Sequence, residues 1–406
     1  MQNVGIDWHV YLLTRSPLAL GSVGLVRIVP IIVFSMWGGV IADRYDRRKV
    51  QFFTQALMGA VAALLAFMTW TGRDTIWLVY LLTAATSAVS AFDAPARQAL
   101  VPRLVPPGEL QAALSMNLTF LHIGMIAGPS LAGIVIAASG PMASQSTHVL
   151  APIYLGNAVS FVAVMIALVM LRASGKPEAG AHHHARWIDS MRAGLKFLFS
   201  TKIIVWTMSL DFFATLFSGA ISLLPIVADQ ILHVGASGYG WLRSATGAGA
   251  LLASIVLAFV PLPRKQGPWL LGAVAAYGAA TVLYGWSHSF VLTLIALAAV
   301  GASDLVSTVI RATLRQALTP DDMRGRITAF NMIFFMGGPQ LGEMEAGFVA
   351  SLFQPAALGT MISIMSGGIA TLILTGAVTA FAPVVRKYRF TLGEAESQTI
   401  GTTPKT

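Results

Sequence analysis

The chain has 406 residues, 56% of them hydrophobic and only 11% charged, with a net charge of +9 and no cysteine. An ordinary soluble domain carries about 25% charged residues, so this composition excludes a water-soluble core, and the missing cysteine excludes a disulfide framework or a thiolate metal site. The surplus positive charge would suit nucleic acid, but its distribution argues against that.

A membrane span needs about 20 consecutive, mostly apolar residues. Runs without Asp, Glu, Lys or Arg meet that length at 50–72, 110–171, 244–263, 266–303 and 346–385, and several hold two spans each. Turn signals divide the longest ones, for example Ala138-Ser139-Gly140-Pro141 and Gly285-Trp286-Ser287-His288. The pattern predicts helical spans near 17–42, 50–70, 76–100, 110–138, 149–171, 203–228, 237–260, 268–286, 290–314, 325–352 and 356–382, because the runs are too long for barrel strands of about 9–11 residues. Residues 2–13 read as the tail of a further span. As a helix they rise only about 18 Å against a core of about 30 Å, so the true start is expected upstream.

Lys and Arg are retained on the cytoplasmic side of a membrane. With the loop at 43–49 placed there, alternate loops collect 22 of the 26 basic residues; only Arg15 and Arg73 fall opposite, and Arg27 and Arg243 lie inside spans. The positive charge is thus a topology signal. It predicts a multi-pass inner-membrane protein with both termini cytoplasmic, which requires an even number of spans and favours twelve. Nucleic acid is not an expected partner.

Four segments follow: an N-terminal six-span half at 1–172, a cytoplasmic linker at 173–202, a C-terminal six-span half at 203–383 and a cytoplasmic tail at 384–406. The linker holds a short amphipathic stretch, with Leu195, Leu198 and Phe199 around Arg192 and Lys196, suited to a membrane surface. Its run His182-His183-His184 fixes no coordination geometry, so no metal is expected there. The two halves share a pattern. Arg97-Gln98-Ala99-Leu100, Pro106 and Asn117 recur as Arg315-Gln316-Ala317-Leu318, Pro320 and Asn331, with 11 residues from Pro to Asn each time, and Gly128-Pro129 is echoed by Gly338-Pro339. A parallel repeat is one established transporter plan, with its substrate site near the bilayer midplane between the halves.

The loop after the second span reads Gly38-Gly39-Val40-Ile41-Ala42-Asp43-Arg44-Tyr45-Asp46-Arg47-Arg48-Lys49. It resembles the major facilitator signature G-x-L-A-D-R-x-G-R-K, matching at Gly39, Ala42, Asp43, Arg44, Arg47 and Arg48, with Asp46 in place of the usual Gly. Residues 93–102 and Gly342-Glu343-Met344-Glu345-Ala346-Gly347 point to the siderophore (enterobactin-type) and drug exporter subgroup. Residues 124–133 resemble the G-x3-G-P-x2-G-G motif of proton-coupled exporters at Gly124, Gly128, Pro129 and Gly133, with Ala132 replacing one Gly. The resemblance runs from about 5 to 383. It implies an all-α membrane protein with the twelve-helix major facilitator fold of two six-helix halves, the first helix apparently truncated, working as a monomer in the lipid bilayer without a cofactor and moving a small-molecule substrate against protons. It also implies a conformational latch in which Asp43 caps the eleventh span near Arg324 and Arg47 pairs with Asp93. A carboxylate at a helix N-terminus gains about 0.3–1 kcal/mol from the macrodipole.

Ionisable groups inside a membrane are costly and usually face a cavity or a partner. The candidates are Asp7, Arg27, His122, Asp211, Arg243, Asp304, Glu343 and Glu345. Asp211, Thr215, Ser218 and Ser222 form a polar stripe at helical spacing in the seventh span, and Asp304, Thr308, Arg311 and Arg315 form another in the tenth. Glu343 and Glu345 lie about 200° apart on a helix and cannot face one cavity. Asp304 and Glu345 are the first choices for proton coupling, followed by Glu343, Asp211, Asp7 and Arg311. Trp8, Tyr11, Phe212, Phe213, Phe217, Phe334 and Phe335 are candidates for an amphipathic substrate. No phosphate-binding loop with Lys-Ser or Lys-Thr occurs, so ATP-driven transport within the chain is not expected. Asp43-x-x-Asp46 resembles a magnesium diphosphate site, but Arg44, Arg47, Arg48 and Lys49 already compensate it, so no enzyme is expected. A lysophospholipid flippase would share the fold and the latch, and a non-transporting sensor is the remaining alternative.

Overall fold

In hydrocarbon every backbone N–H and C=O must be satisfied within the protein, and a helix does this along its own length. The computed structural model describes residues 1–100, 104–106, 109–138, 146–171, 187–260, 264–320 and 323–389, and among them it is helical with no strand. In chain order the helices are α1 (Gln2–Thr14), α2 (Pro17–Arg44), α3 (Arg47–Trp70), α4 (Ile76–Leu100), α5 (Leu110–Ala138), α6 (Ala151–Met170), α7 (Trp187–Ser200), α8 (Lys202–Phe217), α9 (Gly235–Phe259), α10 (Gln266–Trp286), α11 (Phe290–Leu318), α12 (Arg324–Ser351) and α13 (Ala356–Phe381). Nine helical segments among the described residues are long and apolar enough to cross a membrane. The protein is a multi-pass membrane protein.

Local chemistry sets several boundaries. Arg15 at φ 49° closes α1 in the left-handed region, Ser16 accepts a hydrogen bond from the Ala19 N–H, and Pro17 opens α2 where its missing N–H costs nothing. Asp46 caps α3 through the Arg48 N–H at 3.0 Å. The seventh span departs from expectation. Its α-helix stops at Phe217 and continues as a 3-10 turn (Ala220–Leu223), a short helical turn (Leu224–Ile226) and a π-turn (Val227–Ile231). Pro225 removes a ladder donor there. The polar stripe consequently ends early: Ser218 turns to α13, sharing a 2.8 Å hydrogen bond with Thr371, and Ser222 is buried in the 3-10 turn.

Packing divides the helices. α2, α3, α4 and α6 pack on one another, and α8 to α13 form a second group. The most extensive contacts between them are α2 with α12 and α5 with α9, and α1, which packs on α2, α4 and α6, also touches α9. The amphipathic α7 packs on α8 and α12, with Leu198 in a core shared with Ile204, Leu314 and Ile327. Below, the linker end of the molecule is the one bearing α7 and the 45–46 and 382–389 segments; the far end bears the 71–75 and 287–289 loops. The largest apolar core lies towards the far end and draws on both groups, through Trp8, Tyr11, Ile136 and Tyr154 from one and Leu223, Tyr239 and Ala346 from the other.

Candidate functional site: a seam between helix groups and two buried charge clusters

Close approach of two helices requires residues without side chains where the backbones meet. A Cβ at Gly21 of α2 would lie 2.5 Å from the Glu343 carbonyl oxygen and 2.8 Å from Gly347 Cα, and one at Gly240 of α9 would lie 2.7 Å from Gly133 Cα. Ser130 and Ser244 share a 2.7 Å hydrogen bond across the α5–α9 contact. At the far end Trp8 stacks on Tyr239 at 5.4 Å, and the Tyr11 hydroxyl donates to Asp229 and accepts from Gln230 at 3.3 Å. Towards the linker end the same faces part. The α2 face that carries Gly21 and Ile28 continues through Ile32, and the α12 face that carries Gly347 and Gln340 continues through Met336 and Ile333; Ile32, Met336 and Ile333 are all exposed. Among the described residues the groups are closed at the far end and open towards the linker end.

Beneath the far-end closure lies the first charge cluster. Arg27 Nη2 of α2 donates to Asp7 Oδ1 of α1 at 2.8 Å, and its Nη1 faces Glu343 Oε2 of α12 at 3.8 Å. All three are buried. Arg243 of α9 is near enough to act electrostatically on Glu343 and Tyr239. Glu343 Oε2, Arg27 Nε and Arg243 Nε are buried without a hydrogen-bond partner. The second cluster sits wholly in the other group. Arg311 of α11 pairs with Asp211 of α8 at 2.7 Å and donates to Ser307 and Thr308 at 2.7 and 2.9 Å. Asp304, one turn before Thr308, is half-buried near Arg311 and has no hydrogen bond or ion pair with a described residue.

The other expected site residues are dispersed. Glu345 is half-buried, also without such a partner, and points away from Glu343. Asp93 is buried at the linker end, where it accepts from Thr54 at 2.9 Å and Gln55 at 3.0 Å and has Arg97 at 4.0 Å. Arg48 donates to the Val169 carbonyl at 2.7 Å, and Arg44 is exposed. Gly39 falls within α2, and the side chains of Asp43, His122 and Arg324, and residues His182 to His184, lie outside the described residues. Of the fifth-span motif, Gly133 packs at the seam, Gly128 lies beside Met1, and Gly124 has open space. The repeated Arg and Asn meet in the second group, where Arg315 donates to Asn331 at 2.6 Å, whereas Arg97 is exposed. Phe212 and Phe334 pack edge to face at 5.6 Å.

Sequence reasoning missed a third polar set, His9 with Asp74 at 2.7 Å and Tyr154 at 3.1 Å, which ties α1 to the 71–75 loop and α6. These residues are 65 and 145 positions apart, and no local pattern links them. Asp74 lies outside the spans. Burial pushes its carboxyl up, but hydrogen bonds from His9 and Thr147 hold it below its ordinary value. Among the described residues no cluster of His, Asp and Glu suits a metal ion.

The enterobactin exporter EntS of Escherichia coli O1:K1 / APEC is 24% identical over 391 residues, covering 96% of this chain and 89% of that protein. A bacterial homolog of the human lysosomal transporter Spinster, solved inward-facing and unoccupied, superposes with a TM-score of 0.71 at 13% identity, covering 96% of each chain. The D-xylose-proton symporter gives 0.70 at 12%, covering 95% of this chain and 97% of its own. These two solved transporters share the fold of this chain. With residues 1–392 matching the transmembrane secretion effector family, the chain belongs to that branch of the major facilitator superfamily.

Proposed function

We propose that the protein exports a small amphipathic molecule, of siderophore or drug type, across the inner membrane in exchange for protons. The observation that carries this is the seam: two helix groups closed at one end and open at the other, with ionisable groups buried beneath the closure. That arrangement suits alternating access, in which the groups rock about a site between them. With the basic loops cytoplasmic, the open end faces the cytoplasm and the conformer is inward-facing. The fold is read as twelve spans in two halves, 1–172 and 203–383, joined by the 173–202 linker, with a tail at 384–406, both termini inside and the chain acting as a monomer. The Asp43 loop, with Gly39, Arg44, Arg47, Arg48, Asp93 and Arg324, is assigned to the linker-end latch of the opposite state.

The likeness to EntS supports a siderophore-like substrate. A lysophospholipid is the second reading, favoured by the apolar character of the parted faces, where Ile32, Ile333 and Met336 would accept an acyl chain entering from the bilayer. Proteoliposomes separate the two: efflux of a catecholate siderophore driven by an imposed pH gradient supports the first, and appearance of a fluorescent lysophospholipid in the opposite leaflet supports the second. Efflux indifferent to the gradient rejects antiport. Asp304→Asn and Glu345→Gln are each expected to reduce gradient-driven efflux at least tenfold while downhill exchange persists; unchanged coupling in both moves the proton to other acids.

A further inference from the structure

Of the buried acids among the described residues, Glu343 alone has its charged partner on the opposite side of the seam. Asp7 pairs with Arg27 on its own helix group at 2.8 Å, and Asp211 pairs with Arg311 on its own at 2.7 Å. Each group brings one acid and one arginine to the seam, Asp7 and Arg27 from one side and Glu343 and Arg243 from the other. Across the seam Arg27 faces Glu343 at 3.8 Å, and the orphaned Oε2 of Glu343 is free to accept a proton.

From this we infer that Glu343 is the far-end lock: ionised, it holds α12 to α2 through Arg27, and protonated, it releases the closure. The reason is electrostatic. With Glu343 ionised, each group is neutral by itself and the cross-seam attractions hold. With Glu343 neutral, Arg27 remains compensated by Asp7, whereas the half-buried Arg243, its Nε without a hydrogen-bond partner, is left with no counter-charge opposite Arg27. Burying an unpaired charge is costly, and opening to water relieves it. The other titratable or charged groups facing the cluster are Asp7 on α1, Tyr239 and Arg243 on α9, and Tyr154 on α6. Asp7 keeps Arg27 on its own side of the seam, whereas Tyr239 faces Asp7 and Arg27 across it. His9 and Asp74 pair within one group, away from the seam.

The lock rests on the antiport reading only for its place in transport; the pH-driven opening is a property of the seam itself. Because the chain has no cysteine, spin labels at Trp77→Cys and Val291→Cys, both exposed at the far-end tips of α4 and α11, report the distance between the groups. In nanodiscs without substrate, lowering the pH from about 8 to about 5 is expected to shift wild-type protein to the longer distance. Glu343→Gln should populate that distance about tenfold more than wild type at the higher pH, about 1.4 kcal/mol, and show no further response. Glu343→Asp should retain the response. A wild-type distance insensitive to pH, or a Glu343→Gln protein that responds as wild type, overturns the lock. If the distances behave as expected while proteoliposome efflux ignores the gradient, the lock stands and antiport fails; coupled efflux with a pH-insensitive distance is the converse.

Discussion

Arg27 and Arg311 are both buried within membrane-crossing helices, each within 2.8 Å of an aspartate, yet they sit differently in the mechanics of the molecule. Arg311 completes its coordination inside one helix group, through Asp211, Ser307 and Thr308. Arg27 has Asp7 on its own side and Glu343 on the other. The first arrangement lies within one group; in the proposed lock, the second is made and broken as the groups move. A buried charge is therefore informative about conformational change only once its partner's helix group is known.

Breaking the rigid cluster should have the largest effect. Arg311→Met leaves Asp211 uncompensated and should lower the unfolding free energy in detergent by about 3–5 kcal/mol, while the spin-label distance at the far end stays that of wild type. A shift in that distance would show that this cluster, too, reports on the seam.

Overfilling the seam tests the contrast from the other direction. At Gly240 a side chain would meet backbone atoms of α5 at 2.7 and 2.9 Å, and overpacking of this kind costs about 1–3 kcal/mol. Gly240→Val should favour the far-end-open state, raising alkylation of a cysteine placed at Ser130 by roughly fivefold or more. Unchanged alkylation would mean that α5 and α9 yield without cost.

The His9–Asp74–Tyr154 set anchors one group internally, so its loss should affect stability and leave the seam alone. Asp74→Asn should cost about 1–3 kcal/mol near pH 7. Because the carboxyl of Asp74 is held below its ordinary value, its contribution is complete above about pH 3.9 and is lost as the pH falls through the lowered value. Melting curves of the variant and wild type should therefore converge in acid; a constant difference would exclude the charged form as the source.

The smallest perturbation concerns orientation. Single cysteines at Ala181 and Thr402 should be shielded from an impermeant thiol reagent in intact cells, and one at Ser144 should react. Labelling at Ala181 in unbroken cells would reverse the sidedness of both clusters relative to the proton gradient.

The span boundaries were legible because hydrocarbon imposes a length and a composition on every segment; the expected 17–42, 76–100 and 356–382 correspond to Pro17–Arg44, Ile76–Leu100 and Ala356–Phe381. Burial of Asp7, Asp211 and Glu343 was legible for the same reason, as an ionisable residue in an apolar run has nowhere else to go. Helical spacing also placed Glu343 and Glu345 on opposite faces. The break in the seventh span was less visible, since Gly219 and Pro225 are tolerated in many membrane helices and only neighbouring Gly342 and Thr215 explain the tight turn. Pairing was not legible at all. Nothing local tells Arg27 to meet both Asp7 and Glu343, or Tyr11 to meet Asp229 more than 200 residues away. The sequence by itself determined which segments cross the membrane and which charges they bury, because the bilayer acts on each segment separately. Only the tertiary structure decided which charges face one another across the seam, because that depends on how glycine-lined helices from distant parts of the chain come together.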